Sequence, residues 1–409
     1  MRARERRILY FTIIFGYKNK NLYSKTKTLI FVLMNTYKFP FLLIFFLLFS
    51  CISDEKKDPN NDYRAKSNKD DYQKELDQLN QSIKKSPNDI QSIIRRGNLE
   101  LNHYEFADAF ADAALAYRLD SNNFEARLLY ATAILNRPSR AENDKRIAQR
   151  HFAQLLIQRP EDLKAIVGYA NTYALLQDFD NARVWINKAL FIDPNHIDAF
   201  ILKGSIYKVL YNALREDPES QSLSKAYLDT AVSTYSYITQ IDPEFHAAYM
   251  HLGLLFEQRR DSICLDHYLS AVQLQPENLQ YKYALAYAHG EFGHEREAIR
   301  IYEEMIQQDE NFFEAYCQTA QILQFKYQQL DSALYYYSKV VKKDRSHLDA
   351  FVNMGIAYQD MGDVTNALKN YARALAIKPE ERNPMTSLMQ FEEHQKMARD
   401  RAEELKKNL

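Results

Sequence analysis

The chain has 409 residues, a formal net charge of −1 and only 9 Gly, 11 Pro and 3 Cys. So few helix breakers predict a mostly helical protein with short connections, and three cysteines are too few for a disulfide framework. The length exceeds the usual size of one hydrophobic core, a limit that does not apply to an array of repeats growing in one dimension.

The first fifty residues combine positive charge with apolar runs. Residues 1–33 are basic and contain only short apolar runs. A second start follows at Met34, where Lys38 supplies a positive charge ahead of an apolar run that ends at Ser50. A charged start, a short apolar core and a small residue before the cut are typical of a secretory signal. We predict a signal peptide over 34–50 and interpret 1–33 as a mis-assigned extension, with a true two-part anchor as the alternative.

The end of this signal carries a second feature. Residues 48–51, Leu-Phe-Ser-Cys, resemble the bacterial lipobox, in which the cysteine becomes the lipidated first residue. The acidic pair Asp54 and Glu55 resembles the surface-export signal of Bacteroidetes lipoproteins. These resemblances imply a lipid on Cys51 and a periplasmic or surface-exposed position at the outer membrane. The alternative is a free thiol ending a signal-anchor helix, which we disfavour because an apolar run of about ten residues is short for a membrane span.

The segment after the signal is polar, and the charge of the chain changes once the signal is removed. Residues 1–50 hold nine Lys and Arg and one acid, so their removal leaves a net charge of −9 in place of −1. This acidic balance opposes binding to a phosphate backbone, and we expect no nucleic-acid partner. Residues 51–70 have almost no apolar side chain, which predicts a disordered tether. Over 71–87 we predict a capping helix, whose apolar face is formed by Tyr72, Leu76, Leu79 and Ile83.

The stretch 348–381 has the clearest internal pattern in the chain. Large apolar residues recur three and four apart around a small residue, first in one helix and then in a second, and a proline follows. The positions are Phe351, Met354, Gly355, Tyr358, Ala367, Tyr371, Ala374 and Pro379. This pattern resembles the tetratricopeptide repeat, a helix-turn-helix unit of about 34 residues. One such unit cannot bury its own apolar face, so one clean copy predicts further copies.

Weaker copies precede it. Six of the eight spacings between successive proline positions lie within one residue of 34. The first-helix position of Gly355 is always small: Gly97, Ala131, Ala170, Gly204, Gly253, Ala286, Ala320 and Gly355. The second-helix position of Ala367 is also small: Ala109, Ala148, Ala182, Ala231, Cys264, Ala298, Ala333 and Ala367. We therefore predict eight repeats over 88–381. The resemblance implies an all-α solenoid wound as a right-handed superhelix.

Two insertions and one terminal element complete the prediction. Residues 137–145 widen the second repeat and residues 211–225 widen the fourth. Insertions in a solenoid map to loops on one edge, which either bind partners or are simply tolerated. Residues 384–408, which begin with Pro384, predict a C-terminal capping helix with one apolar side and one charged side.

Residues that could carry catalysis are sparse. The pairs His246/His251 and His289/His294 are five apart, so neither pair shares one helical face, and we expect no metal site. Cys264 lies in a small core position, and Cys317 has no evident histidine partner in the sequence. We expect no cofactor, no small-molecule substrate and no enzymatic activity.

The resemblance implies a concave surface lined by the first helices. The positions that face it are Ile94, Asn98, Leu128, Thr132, Val167, Asn171, Ile201, Ser205, Met250, Leu254, Tyr283, Tyr287, Cys317, Gln321, Val352 and Ile356. None is charged, and no Lys accompanies Asn98 or Asn171, which disfavours the clamp that grips carboxylate tails of chaperones in some members of the family. The most adhesive part lies in repeats five to seven, where we predict a partner-binding groove formed by Met250, Leu254, Tyr283, Tyr287, Cys317, Gln321 and Gln324. The alternative is that the C-terminal helix or a neighbouring molecule already covers it.

These observations favour a non-enzymatic scaffold that binds protein or peptide partners in the cell envelope and is attached to the outer membrane by a lipid. Two alternatives stay open at this point. One is an envelope assembly or glycan-associated accessory lipoprotein, and the other is a non-catalytic subunit of an enzyme complex.

Overall fold

The structure is a computed structural model that describes residues 64–137, 141, 143–379 and 388–407. The signal segment, Cys51, most of the tether and Pro384 lie outside the described residues. In the described ranges the chain forms helices and no strand. The helices are α1 (Arg64–Lys85), α2 (Ile90–Asn102), α3 (Phe106–Leu119), α4 (Phe124–Asn136), α5 (Asp144–Gln158), α6 (Leu163–Leu175), α7 (Phe179–Ile192), α8 (Ile197–Leu214), α9 (Gln221–Ile241), α10 (His246–Gln258), α11 (Ile263–Leu274), α12 (Leu279–Glu291), α13 (Glu295–Gln308), α14 (Phe313–Phe325), α15 (Leu330–Lys343), α16 (Leu348–Asp360), α17 (Val364–Ala376) and α18 (Leu388–Lys407).

Every helix packs against the next one in the chain, and α2 to α17 form eight successive pairs. First helices also meet the first helix of the following repeat, as α2 does with α4 and α14 with α16, so they share one layer. Helix α18 packs on both α16 and α17, in the position that the first helix of a ninth repeat would occupy. The predicted all-α repeat fold is confirmed. None of the described helices is long and apolar enough to cross a bilayer.

Close packing within a pair depends on a small residue facing a large ring. In repeats four to eight the second helix buries a tyrosine that is at most 1% exposed, namely Tyr235, Tyr268, Tyr302, Tyr337 and Tyr371. At Gly253 and Gly355 an added Cβ would lie 2.4 Å from the facing tyrosine ring, well inside van der Waals contact. Each glycine therefore leaves the space that the ring occupies.

The hydroxyls of these buried tyrosines need partners, and the first helix of the same repeat supplies most of them. Tyr337 donates to Gln324 Oε1 over 3.1 Å, and Tyr371 donates to Gln359 Oε1 over 2.9 Å. Tyr268 donates to Glu257, the corresponding residue of its own repeat. These bonds satisfy polar groups that would otherwise be costly to bury. The residue four positions after the small first-helix residue thus accepts the hydrogen bond of the buried tyrosine in repeats five, seven and eight.

A recurring turn joins the two helices of a pair. In five repeats the backbone N–H two residues after the C-cap donates to the carbonyl five residues earlier, as from Asp363 to Tyr358 over 2.8 Å. The residue before that donor has positive φ, such as Gly293 (81°) or Gly362 (77°). This is the Schellman arrangement, in which the last turn of a helix closes back on itself. It brings side chains five residues apart next to each other.

Two predicted segments differ from the structure. Helix α1 begins at Arg64, not at residue 71, because no glycine or proline interrupts the chain there. The insertion at 211–225 is mostly helical and not a loop: α8 and α9 are lengthened to 18 and 21 residues, with a single turn of 3-10 helix between them. In the other insertion, at 137–145, Arg137 pairs with Asp144 over 2.6 Å and closes the connection.

Candidate partner-binding groove

The candidate groove lies on the layer of first helices formed by α10, α12 and α14. Gln318 of α14 donates from Nε2 to the hydroxyl of Tyr283 on α12 over 3.2 Å, so these two helices meet side by side. Helix α18 packs on the last repeat, beyond the predicted groove residues of α10, α12 and α14.

Three predicted groove residues are buried and do not line an open surface. Met250 is 2% exposed, Cys317 7% and Gln324 1%. Gln324 is a core residue, since it accepts from Tyr337 and donates from Nε2 to the carbonyl of Asn353 over 3.3 Å. Sequence reasoning chose Met250 and Cys317 by their position in the repeat and Gln324 for its amide, but the packing of neighbouring helices covers all three.

The other four predicted residues, Leu254, Tyr283, Tyr287 and Gln321, are half-buried. The rings of Tyr283 and Tyr287 are nearly parallel, at 17°, with centroids 6.4 Å apart. Burial raises the pKa of both phenols, so their hydroxyls stay protonated and can donate hydrogen bonds. The strip offers aromatic surface and polar tips without a charge.

Polar groups at the corresponding positions of the first two repeats are engaged locally. Asn98 donates from Nδ2 to the carbonyl of Ile94 over 2.9 Å, and Thr132 donates to that of Leu128 over 2.9 Å. These bonds occupy the side chains within their own helices.

An ion cluster lies between the helices of the first repeat. The Arg96 guanidinium donates to both oxygens of Asp112 over 2.7 Å, and Glu100 lies 3.8 Å from the same arginine. Glu100 is only 6% exposed. Burial first, and then the negative charge of Asp112, raise the pKa of Glu100 to about 7. The carboxyl is therefore close to half-protonated at neutral pH.

A second buried polar contact joins repeats four and five. Lys208 of α8 and His251 of α10 are 3% and 1% exposed, with Lys208 Nζ 3.2 Å from His251 Nδ1. Burial, and then the charge of Lys208, hold the pKa of His251 well below its ordinary range. The neutral imidazole can accept from the ammonium, which fixes α8 against α10 at the root of the lengthened helices.

The cysteines of the described chain are not activated. Cys264 is fully buried in its small core position, and burial raises the pKa of its thiol to about 12. Cys317 does have a histidine neighbour, which sequence reasoning missed: its Sγ lies 3.5 Å from Nε2 of His347, in the next repeat. Burial raises the pKa of this thiol as well, so it is not a thiolate nucleophile.

One histidine pair is brought together and the other is not. His246 bonds to Tyr281 over 2.7 Å and His251 to Lys208, whereas His289 and His294 face each other with Nδ1 atoms 3.3 Å apart. The helical-face argument failed for His289 and His294 because the chain turns between them at Gly293. That glycine was the available signal. No group of three or more potential metal ligands occurs in the described part of the chain.

The comparison with protein families decides the identity of the repeat. The tetratricopeptide repeat model matches residues 163–196 and 348–381. Each match is one helix pair of the fold, α6–α7 and α16–α17, at the period found along the chain. The chain is a tetratricopeptide-repeat protein. Such repeats form protein-interaction scaffolds, and the layer of first helices is where this tetratricopeptide-repeat protein presents its half-buried aromatic strip.

The chain is similar to several known proteins at low sequence identity. The human Protein O-mannosyl-transferase TMTC3 is 23% identical over 204 residues, which are 50% of this chain and 19% of that protein. The chain thus spans about a fifth of the length of this curated relative. Among solved structures, YrrB, titled a TPR protein with an unusual peptide-binding site, is 19% identical over 56% of this chain and 93% of its own, with a TM-score of 0.34. The Cut9-Hcn1 hetero-tetramer of APC/C is 14% identical over 79% of this chain and 58% of its own, with a TM-score of 0.45.

Proposed function

We propose that this tetratricopeptide-repeat protein is a non-enzymatic scaffold of the cell envelope, held at the outer membrane by a lipid on Cys51. Its partner is a protein segment that docks on the strip formed by Leu254, Tyr283, Tyr287 and Gln321. The observation that carries the proposal is the stacked, half-buried Tyr283–Tyr287 pair on the first-helix layer. Neighbouring groove positions are uncharged, so the strip suits an apolar segment rather than an acidic tail.

Binding at this strip costs little conformational entropy. Tyrosine rings that are already packed lose little side-chain freedom on binding, and tyrosine is enriched at protein interfaces. The protonated hydroxyls and the amide of Gln321 can pair with the backbone of an extended or helical segment. Such polar contacts set the register of the segment, while ring burial supplies the affinity.

The test is capture of envelope proteins by the full chain and by the double variant Tyr283→Ala, Tyr287→Ala. If the pair is a hot spot, the double variant should lose about 2–4 kcal/mol of affinity. Tyr335→Ala is the matched control, because this ring is 57% exposed on α15, a second helix, and should not contribute. If the double variant captures the same proteins and its thermal unfolding is unchanged, the docking site would have to lie elsewhere, with the lengthened helices at 211–225 the next candidate.

The anchor requires its own experiment. The support is the signal layout ending in Ser50-Cys51, followed by a polar segment. Cys51→Ser should abolish labelling by a fatty-acid analogue and release the protein from the membrane fraction. A variant that stays membrane-bound at unchanged mass would instead favour a signal-anchor helix.

A second candidate role is that of an accessory to envelope glycosylation or assembly, including a non-catalytic subunit of an enzyme complex. The observation that favours it is the 204-residue match to a protein named as an O-mannosyl-transferase. Fractionation followed by identification of captured proteins separates the two. Recovery of a glycosyltransferase that depends on Tyr283 and Tyr287 would make the scaffold part of that complex.

A further inference from the structure

The turn of the sixth repeat places two imidazoles side by side. Helix α12 ends in the Schellman arrangement: His294 N–H donates to the carbonyl of His289 over 2.8 Å, and Gly293 N–H donates to that of Gly290 over 3.3 Å. In this motif the side chains at the two ends of the longer bond commonly contact each other. Here both of those side chains are histidines.

The corresponding positions elsewhere show that the pair is specific to this repeat. The same turn carries Tyr173 with Asp178, Phe256 with Asp261, and Tyr358 with Asp363. His289 occupies the aromatic position of the repeat, and His294 occupies a position that is acidic in those three turns. The fold therefore does not require histidine at either place.

The two rings meet through their nitrogens. The Nδ1 atoms are 3.3 Å apart while the ring centroids are 5.5 Å apart, so the nitrogens are the facing atoms. At this separation one imidazole can donate a hydrogen bond to the other. Two Zn–N bonds of about 2.0–2.1 Å at the tetrahedral angle would put the nitrogens about 3.3–3.4 Å apart. The observed separation thus also suits two imidazoles bound to one metal ion.

The surroundings leave the pair accessible. His294 is exposed and His289 half-buried. Glu297, on the following turn of α13, accepts from Arg300 Nε with both oxygens at 3.1 Å, so its carboxylate is already engaged. The protein thus offers two imidazole ligands, and the other coordination positions are left to water.

We propose that His289 and His294 form a two-histidine site for a divalent transition-metal ion, with Zn²⁺ the best geometric fit. Imidazole suits zinc, copper and nickel, and the backbone turn holds both rings at the required separation before the ion arrives. This reverses the expectation from sequence that the scattered histidines hold no metal.

The test is calorimetric titration of the full chain, freed of metal and carrying no histidine tag, with ZnCl₂. We expect one Zn²⁺ per chain. Either His289→Tyr or His294→Asn should weaken binding about tenfold or more, since each removes one of two ligands. His289→Tyr restores the residue that repeats three and eight use at this position, so the fold should be retained. His196→Asn, which keeps a good N-cap for α8, is the control and should bind as the parent does.

A second readout addresses the geometry. Co²⁺ in place of Zn²⁺ should give the intense visible absorption of a tetrahedral site in the parent chain, and this absorption should disappear in His294→Asn. Absence of saturable Zn²⁺ binding by the parent would overturn the proposal. Equal binding by parent, His289→Tyr and His294→Asn would also overturn it, because the ion would then lie elsewhere.

Discussion

The close contact at Gly355 allows a sharp test of how the repeats are packed. An added Cβ would lie 2.4 Å from Cε1 of Tyr371, whose ring is fully buried and whose hydroxyl is bonded to Gln359. Overpacking of this kind costs about 1–3 kcal/mol. Replacing a helical glycine by alanine recovers up to about 1 kcal/mol of helix propensity. Gly355→Ala should therefore destabilise the last repeat by up to about 2 kcal/mol, and Gly355→Leu or Ala367→Leu by more.

Gly290→Ala is the matched control. Gly290 also lies in a first helix, but the nearest atom to its added Cβ is the Cβ of Ala298 at 4.0 Å, an ordinary contact. This variant gains the helix propensity without the clash and should be as stable as the parent or more so. The difference between the two variants, about 1–3 kcal/mol, isolates the clash.

The assay should resolve single repeats, because a long repeat array need not unfold in one step. Hydrogen exchange read peptide by peptide serves this purpose. In Gly355→Ala the loss of protection should be greatest in α14 to α18, since repeats couple mainly to their neighbours. Equal protection in Gly355→Ala and Gly290→Ala would refute the packing argument, and a uniform loss over all eight repeats would refute neighbour coupling.

Three further predictions concern polar groups. Because the pKa of Glu100 is raised from 4.5 to about 7, the folded state holds this proton more tightly, and stability falls as pH rises through that window. Glu100→Gln should relieve a penalty of at most about 3.5 kcal/mol above pH 7 and change little near pH 4, as measured by hydrogen exchange in α2 and α3. The hydrogen bond to Asp349, at 2.5 Å, raises the pKa of His394. The support it gives α18 is complete below pH 6.5 and is lost as pH rises through the folded-state pKa, so Asp349→Asn should loosen α18 at pH 6 and have a smaller effect as pH rises. Finally, Gln324→Leu should cost about 1–3 kcal/mol by removing the acceptor of the Tyr337 hydroxyl, and adding Tyr337→Phe should recover most of that loss in thermal unfolding.

Repetition made much of the fold predictable. The period near 34 and the small residues at the positions of Gly355 and Ala367 are local properties of the chain. They recur so often that the repeat is recognisable even where a single copy departs from the pattern. Helix periodicity also predicted groove positions along the first helices. Periodicity does not report how far neighbouring helices cover each position. For this reason the burial of Met250, Cys317 and Gln324 was not predicted.

Three features follow from the folded structure and were not predicted from helix periodicity. The segment 211–225 lengthens two helices because they support each other, although its sequence alone reads as a loop. Cys317 meets His347 because stacking places the start of one repeat against the helix of the one before. His289 and His294 face each other because the backbone reverses at a residue with positive φ. The sequence by itself determined most of the helices and their period because these are local properties, whereas the contacts across turns and between repeats form only when the chain folds and the helices stack.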